Sequence, residues 1–385
     1  MTSCKEDEIM KKIFYVSTTA ISIKAFFIPQ LQFLSENGFD VTVICSPDNE
    51  LQTLLGEGVR YVPIEIPRGV SLFGSLKAIR KLTKFFKKEK FDLVQYSTPN
   101  AAFYSAIASK RTKVKVRNYH LMGLRYLGEK GLKRKILRYL DYVACKKSTH
   151  IECVSPSNLQ LALQENLFKK EKGVVVWNGS SGGIDLKRFD ASNRESYRKE
   201  IREKFLISEE DLVFGFVGRI TKDKGINEIL SAFDKIENAK LLMVGPKEAT
   251  QTLDKNLYEK SLSNKNIIYT GLVKDVEKYY SAIDVLLFPS YREGFGNVVM
   301  EAGAMGTPAI ISNIPGPIDA IKIDKTALVV EPYDADGLYL AMEKLMDKEL
   351  REQMSEQAVL LAKNNFDQEI LMQRILERKR ELVKE

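Results

Sequence analysis

The sequence predicts an α/β protein made of two doubly wound, parallel-sheet domains, and three observations carry that prediction. Short β-branched or aromatic runs alternate with amphipathic stretches of helical length along the whole chain, the pattern of sheets assembled from βαβ units. One Gly/Ser-rich segment, WNGSSGGID from Trp177, interrupts the alternation and reads as a linker. The length of 385 residues suits two domains at roughly 150 residues each. With 44% hydrophobic and 29% charged residues, the chain can bury two cores, which excludes a disordered, fibrous or low-complexity protein.

The first-half strands read, in order, IFYVS, VTVIC, VRYVPI, DLVQY, VKVRN, HIECVS and VVVW, runs whose branched and aromatic side chains suit a pleated, buried surface. Helical spacing around residues 26–36, 72–89, 101–109 and 132–145 supplies crossovers between parallel strands. All seven strands fit one domain, placed at residues 1–178. After the linker the alternation resumes with LVFGFVG, AKLLMVG, NIIYTG, DVLLFPS, TPAIIS and TALVVEP, a second domain at residues 179–365. The last stretch, FDQEILMQRILERKREL, has apolar residues at helical spacing and no strand after it, so residues 366–385 are expected to form a helix that crosses back to the first domain. Two Rossmann-like domains with a hinge imply a central ligand cleft, because open parallel sheets bind ligands beyond the carboxyl ends of their strands.

Several function classes fall away on composition. No apolar run approaches the roughly 18 residues of a membrane span, and the opening MTSCKEDEIMKK is charged where a signal sequence would be apolar, so a soluble, unexported protein is expected. Cys4, Cys45, Cys145 and Cys153 form no CxxC pair and read as reduced cytosolic thiols. His120 and His150 are the only imidazoles and belong to no HExxH or Cys/His cluster, so neither a metal site nor a resident cofactor is expected. No GxGxxG follows IFYVS, which sets a nicotinamide-dependent dehydrogenase aside.

The net charge of +8 hides an asymmetry. Through Asn178 there are 29 lysines and arginines against 16 acidic residues, and beyond it 30 against 35. Much of the basic excess lies in two stretches at helical spacing, KAIRKLTKFFKKEK from Lys77 and KGLKRKILRYLDYVACKK from Lys130; in the first, Leu76, Ile79, Leu82, Phe85 and Phe86 recur at three- and four-residue steps. Either alone is also an ordinary surface helix with its lysines solvated. Sharing one sign in one half of the chain, they favour an anionic surface as partner. No nucleic acid is expected, since zinc-finger and RNP spacings and interleaved stacking aromatics are missing.

The chemistry concentrates after DVLLFPS, in SYREGFGNVVMEAGAMGTPAI, which reads as strand, glycine turn and helix. Gly294 and Gly296 flank Phe295 at the turn, with the helix starting near Asn297, so free amides and the helix dipole suit an anionic group such as phosphate. Glu293 precedes the turn and Glu301 follows it; carboxylates there can accept sugar hydroxyls, or both can simply lie on the surface of a tight helix entry. VGRITKDKG places Arg219 and Lys224 after another strand, where cations suit a diphosphate and would oppose charge on a departing nucleotide. The alternative there is Arg219 paired with a surface carboxylate and Lys224 in a plain helix-entry turn. Asp334-Ala335-Asp336 has the letters of a metal-binding DxD, but it opens an apolar-periodic stretch and reads as a helix cap.

On VGRITKDKG, on DVLLFPSYREGFGNVVMEAGAMGTPAI with its Glu293/Glu301 E-x7-E pair, and on the hinge-like NGSSGGIDLKRF, the chain resembles the retaining glycosyltransferases of family 4, in the branch of bacterial surface-polysaccharide enzymes. The resemblance implies GT-B architecture, in which two Rossmann-like domains face a central cleft. It further implies sugar transfer from a nucleotide sugar, UDP-linked in first preference, to a lipid-diphosphate-linked saccharide acceptor without metal or cofactor. The cell location implied is cytoplasmic, peripheral on the inner face of the plasma membrane. Carried over by position, Arg219 and Lys224 contact the donor diphosphate, Glu301 the ribose and Glu293 the transferred sugar. Phe295, Gly296 and Asn297 offer amides beside Gly294, and His120, in VRNYHLMG, sits near the sugar. The other readings of the same shape are a sugar epimerase or phosphorylase, and a non-catalytic nucleotide-sugar scaffold. Two departures stand out: STTAISIKAFFIP follows the first strand without the family's glycine pair, and Gln95 and Ser97 stand where related sequences often carry histidines.

Overall fold

The computed structural model describes residues 10–69 and 72–384; Cys4 and most of the charged opening stretch lie outside the described residues. The chain divides into two compact units, Met1–Gly182 with Ile370–Glu385, and Gly183–Glu369, where the sequence sets the divide after residue 178.

In the first unit, strands β1 (Lys11–Val16), β2 (Phe39–Cys45), β3 (Val59–Pro63), β4 (Leu93–Ser97), β5 (Val116–Leu121), β6 (His150–Cys153) and β7 (Gly173–Val174) form one seven-stranded sheet, in the order β3-β2-β1-β4-β5-β6-β7. Every pairing is parallel. The connecting helices are α1 (Ala20–Phe26), α2 (Ile28–Glu36), α3 (Leu51–Leu55), α4 (Leu72–Lys88), α5 (Pro99–Arg111), α6 (Gly131–Lys147) and α7 (Pro156–Gln164). Side-chain alternation along β1 decides which helix covers which face. Phe14 and Val16 join the core made with α4, α5 and α6, whereas Ile13 and Tyr15 join the core made with α1, α2 and α3 and with Leu376 and Leu382 near the end of the chain. On α4, Ile79, Leu82 and Phe86 are buried as their spacing predicts, but Leu76 is 51% exposed and Phe73, before it, 88%. The apolar stripe therefore continues toward the start of α4 beyond the buried core.

The second unit contains α8 (Arg194–Lys204), β8 (Leu212–Val217), α9 (Ile226–Phe233), β9 (Ala239–Val244), α10 (Lys255–Ser263), β10 (Ile267–Gly271), α11 (Val276–Ala282), β11 (Val285–Phe288), α12 (Asn297–Ala304), β12 (Ala309–Ser312), β13 (Ala327–Val330), α13 (Ala335–Lys344) and α14 (Lys348–Asn365). Its six strands run in the order β10-β9-β8-β11-β12-β13, all parallel. Helices α9 and α13 share one core with alternate residues of β8, β9 and β11, and on the other side α11 packs against α8 and α12. Asp334 caps α13 by accepting a hydrogen bond from the Gly337 amide at 2.8 Å, which gives that carboxylate a structural task.

The last helix, α15 (Gln368–Leu382), runs from the end of the second unit into the first, to which Ile370–Glu385 belong. Lys379 on α15 is buried and donates to both oxygens of Glu152 on β6, at 2.8 and 2.7 Å. No helix among the described residues is long and apolar enough to cross a membrane.

Candidate active site

In an open parallel sheet, the strand order reverses at one place, and the loops leaving that place diverge to leave a crevice. In the second unit this switch lies between β8 and β11. The loop leaving β8 carries Arg219 and Lys224; the loop leaving β11 carries Glu293 and the glycine turn. The two motifs, separated by some seventy residues of chain, therefore meet because of strand order.

The contact between the loops is built from backbone. The Tyr291 amide donates to the Asp223 carbonyl at 3.0 Å, and the Thr221 hydroxyl donates to the Asp223 carboxylate at 2.6 Å. Gly225 has φ +73°, and a Cβ there would sit 2.2 Å from the Pro289 carbonyl oxygen, so only glycine allows the loops to come so close. This approach brings Lys224 Nζ to 2.5 Å from Glu293 Oε1, with 18% and 16% of the two side chains exposed.

The glycine turn follows directly. Gly296, at φ +102°, opens α12, and Gly316 lies so close that a Cβ on it would be 2.7 Å from the Gly294 carbonyl oxygen. The backbone amides of Phe295, Gly296 and Asn297 make no hydrogen bond among the described residues. With the α12 dipole behind them they form an anion-binding end. Phe295 itself is buried, edge-on to Phe366 at 5.6 Å, and so fixes the turn from below.

Glu301 stands just over one turn into α12 and accepts a hydrogen bond from the Tyr280 hydroxyl at 2.8 Å. Burial pushes its carboxyl up to about 7, against the pull of that hydroxyl and of Arg188. Arg219 takes the surface pairing: it lies 3.3 Å from Glu248, both about half exposed. The structure thus joins Lys224, Glu293 and the Gly294–Asn297 turn directly, sets Glu301 behind the turn, and leaves Arg219 at the rim with an exposed, weakly held partner.

His120 belongs to the first unit, at the end of β5, and is 7% exposed. Its ring meets Phe27 edge-on at 5.4 Å, and Nδ1 lies 3.9 Å from Glu152 Oε2, an ion-pair distance too long for a hydrogen bond. Neither ring nitrogen has a hydrogen-bond partner among the described residues. Gln95 is a buried core group that accepts from Asn118 Nδ2 at 2.8 Å. Sequence reasoning missed Tyr280, Asp223 and Glu152. Only Tyr280 left a trace, as an aromatic at an inward position of α11.

A cation, a row of open amides and two carboxylates at a switch point suit a sugar carried on a diphosphate, and the fold is of the GT-B class. A glycosyltransferase of Rickettsia africae matches it with a TM-score of 0.80 over 98% of this chain and 99% of its own, at 21% identity. Residues 197–360 match the family described as Glycosyl transferases group 1, and residues 30–181 match Glycosyltransferase Family 4. The capsular polysaccharide biosynthesis glycosyltransferase CapM of Staphylococcus aureus is 33% identical over 373 residues, 95% of this chain and 96% of that protein. An Escherichia coli protein, UDP-Gal:alpha-D-GlcNAc-diphosphoundecaprenol alpha-1,3-galactosyltransferase, is 25% identical over 88% of each chain. The chain belongs to this glycosyltransferase family, and its relatives include enzymes of bacterial surface polysaccharides.

Proposed function

We propose that the protein transfers a hexosyl or N-acetylhexosaminyl group from a UDP-sugar to a lipid-diphosphate-linked saccharide, with retention at the anomeric carbon and without a metal ion. The observation that carries this reading is the Lys224–Glu293 pair set against the open amides of Phe295, Gly296 and Asn297. A diphosphate at the turn would take Lys224 from Glu293, freeing that carboxylate to accept hydroxyls of the sugar. As the bond to the sugar breaks, negative charge grows on the leaving phosphate, and Lys224, the amides and Arg219 at the rim oppose it. The leaving phosphate can itself take the acceptor proton on the same face, so no side chain need act as base. The printed substrates of the Escherichia coli relative support the donor and acceptor classes.

Purified protein in EDTA, given UDP-sugars and a short-chain prenyl diphosphate-linked saccharide, should release UDP only with acceptor present and yield a product of unchanged anomeric configuration by proton NMR. Lys224→Ala should lower kcat about a hundredfold with a smaller change in KM. An inverted product, loss of turnover in EDTA, or a variant as fast as the wild type would each remove the corresponding part of the reading.

The same reading includes a peripheral place on an anionic membrane. On the first unit, α5 packs between α4 and α6, and the two outer helices expose Phe73, Leu76, Leu132 and Tyr139 among Lys77, Arg80, Lys81, Lys133 and Lys135. Apolar residues rising from a cationic surface suit headgroups and the acyl boundary beneath them. The protein should float with phosphatidylglycerol vesicles at low salt, and Phe73→Ser with Leu132→Ser should abolish flotation; a wild type that stays entirely in solution sinks the idea.

A further inference from the structure

The first unit has a switch point of its own, between β1 and β4, and it opens on a cavity of about 350 Å³. We infer that this cavity binds the diphosphate of the lipid-linked acceptor, an inference that rests on the acceptor class proposed above. Its lining includes threonine hydroxyls, two guanidinium groups and the Asn100 amide, with no carboxylate among them. Thr18, after β1, and Thr98, after β4, bridge the two loops through their hydroxyls at 2.7 Å, and the Thr18 amide donates to the Thr98 hydroxyl at 3.1 Å.

Two cations flank the opening, Arg68 and Arg125. Both are exposed, and neither makes an ion pair or a side-chain hydrogen bond among the described residues. Arg68 is nevertheless not on a free loop. The buried Asn100 donates through Nδ2 to the carbonyls on either side of it, Pro67 at 2.9 Å and Gly69 at 2.6 Å, so the first turn of α5 holds the backbone that carries this cation. The first amide of α5 to bond is that of Ala102, to the Thr98 carbonyl at 2.9 Å. The amides of Asn100 and Ala101 are left open at the same end. Two unpaired guanidiniums, threonine hydroxyls and an amide end of a thirteen-residue helix recognise a dianionic, multi-oxygen group better than a neutral sugar. A diphosphate offers each arginine a phosphate of its own.

Diphosphate comes from two sources in this reaction, the lipid-linked acceptor and the nucleotide, and the test separates them. The full chain is titrated calorimetrically with farnesyl diphosphate-linked N-acetylglucosamine, with inorganic pyrophosphate and with UDP, as wild type and as Arg68→Ala/Arg125→Ala. The expected result is that the variant binds the farnesyl compound about a hundredfold more weakly, loses pyrophosphate similarly and keeps its UDP affinity, while Arg68→Lys/Arg125→Lys recovers part of the loss. Unchanged binding of the farnesyl compound overturns the inference. So does loss of UDP affinity alone, which would make the cavity a donor subsite. If wild type shows UDP-sugar turnover with a saccharide lacking diphosphate but no binding of the farnesyl compound, the inference fails while the transferase reading stands.

Discussion

Binding of a UDP-sugar should weaken about tenfold in the wild type between about pH 8 and about pH 6, and a Glu301→Gln variant should show no such slope. The cause is the position of Glu301 in α12, where burial lifts its carboxyl from an ordinary 4.5 to about 7 and the Tyr280 hydroxyl offsets only part of the cost. A carboxyl with a raised value is mostly ionised at about pH 8 and about nine-tenths protonated at about pH 6. In the free protein the sign is unfavourable: the group's contribution to stability is full below its ordinary 4.5 and is lost as pH rises through about 7. Ribose hydroxyls donating to the ionised form reverse that balance, so the ligand binds best where the free protein tolerates the charge least. The melting-temperature rise caused by the ligand should therefore grow with pH. Glu301→Gln keeps the shape and loses the charge, which should cost about 1.5–3 kcal/mol of binding. A UDP-sugar is the right probe because its diphosphate does not titrate in this range. Equal slopes in wild type and variant would take Glu301 out of the site.

The strands were legible because their composition is local: each run of Val, Ile and Phe announces itself, and twelve of the thirteen expected runs coincide with strands of the two sheets, while VVVW gives only Val174 to β7. The glycine turn was legible for the same reason, since Gly294 and Gly296 bracket Phe295 in a stretch where strand gives way to helix, and α12 begins at Asn297. What a local pattern does not hold is the partner of a charge. Lys224 faces Glu293 because Gly225 lets two loops touch, and Arg219, five residues earlier, turns to Glu248. Nothing in the letters RITKDK separates these two fates. Leu76 is a second example, since its three- and four-residue spacing puts it on the apolar stripe of α4 although the fold leaves it half exposed. The terminal helix shows the third kind of gap: its apolar spacing forecast a helix, but Lys379 reads there as one more solvated charge in ERKREL.

Replacing that lysine with methionine should destabilise the protein by about 3–5 kcal/mol, read as a drop in the urea midpoint at neutral pH. Lys379 and Glu152 are both almost fully buried, so each is the other's main compensation for lost hydration. Burial alone would favour the neutral carboxyl of Glu152, but the Lys379 ammonium outweighs it and holds the group well below the usual carboxylate range; burial likewise pushes Lys379 down, against the attraction of Glu152. The other groups facing Glu152 are weaker substitutes, Arg378 Nε at 4.0 Å and His120 Nδ1 at 3.9 Å, with the Tyr15 hydroxyl buried and unpartnered nearby. In the wild type, a depressed carboxyl contributes stability above its ordinary 4.5 that is lost only as pH falls below it. Without Lys379 the direction inverts, because burial then dominates, and the variant should regain more stability on acidification from neutral pH than the wild type, the rise due to Glu301 being common to both. Pairing the change with Glu152→Met removes the orphaned charge and should recover most of the loss, since an apolar pair of similar volume needs no compensation. Additive single-variant costs would show that the two side chains act independently, and the attachment of the last helix to the first unit would then rest on its apolar contacts, Leu376 and Leu382 among them.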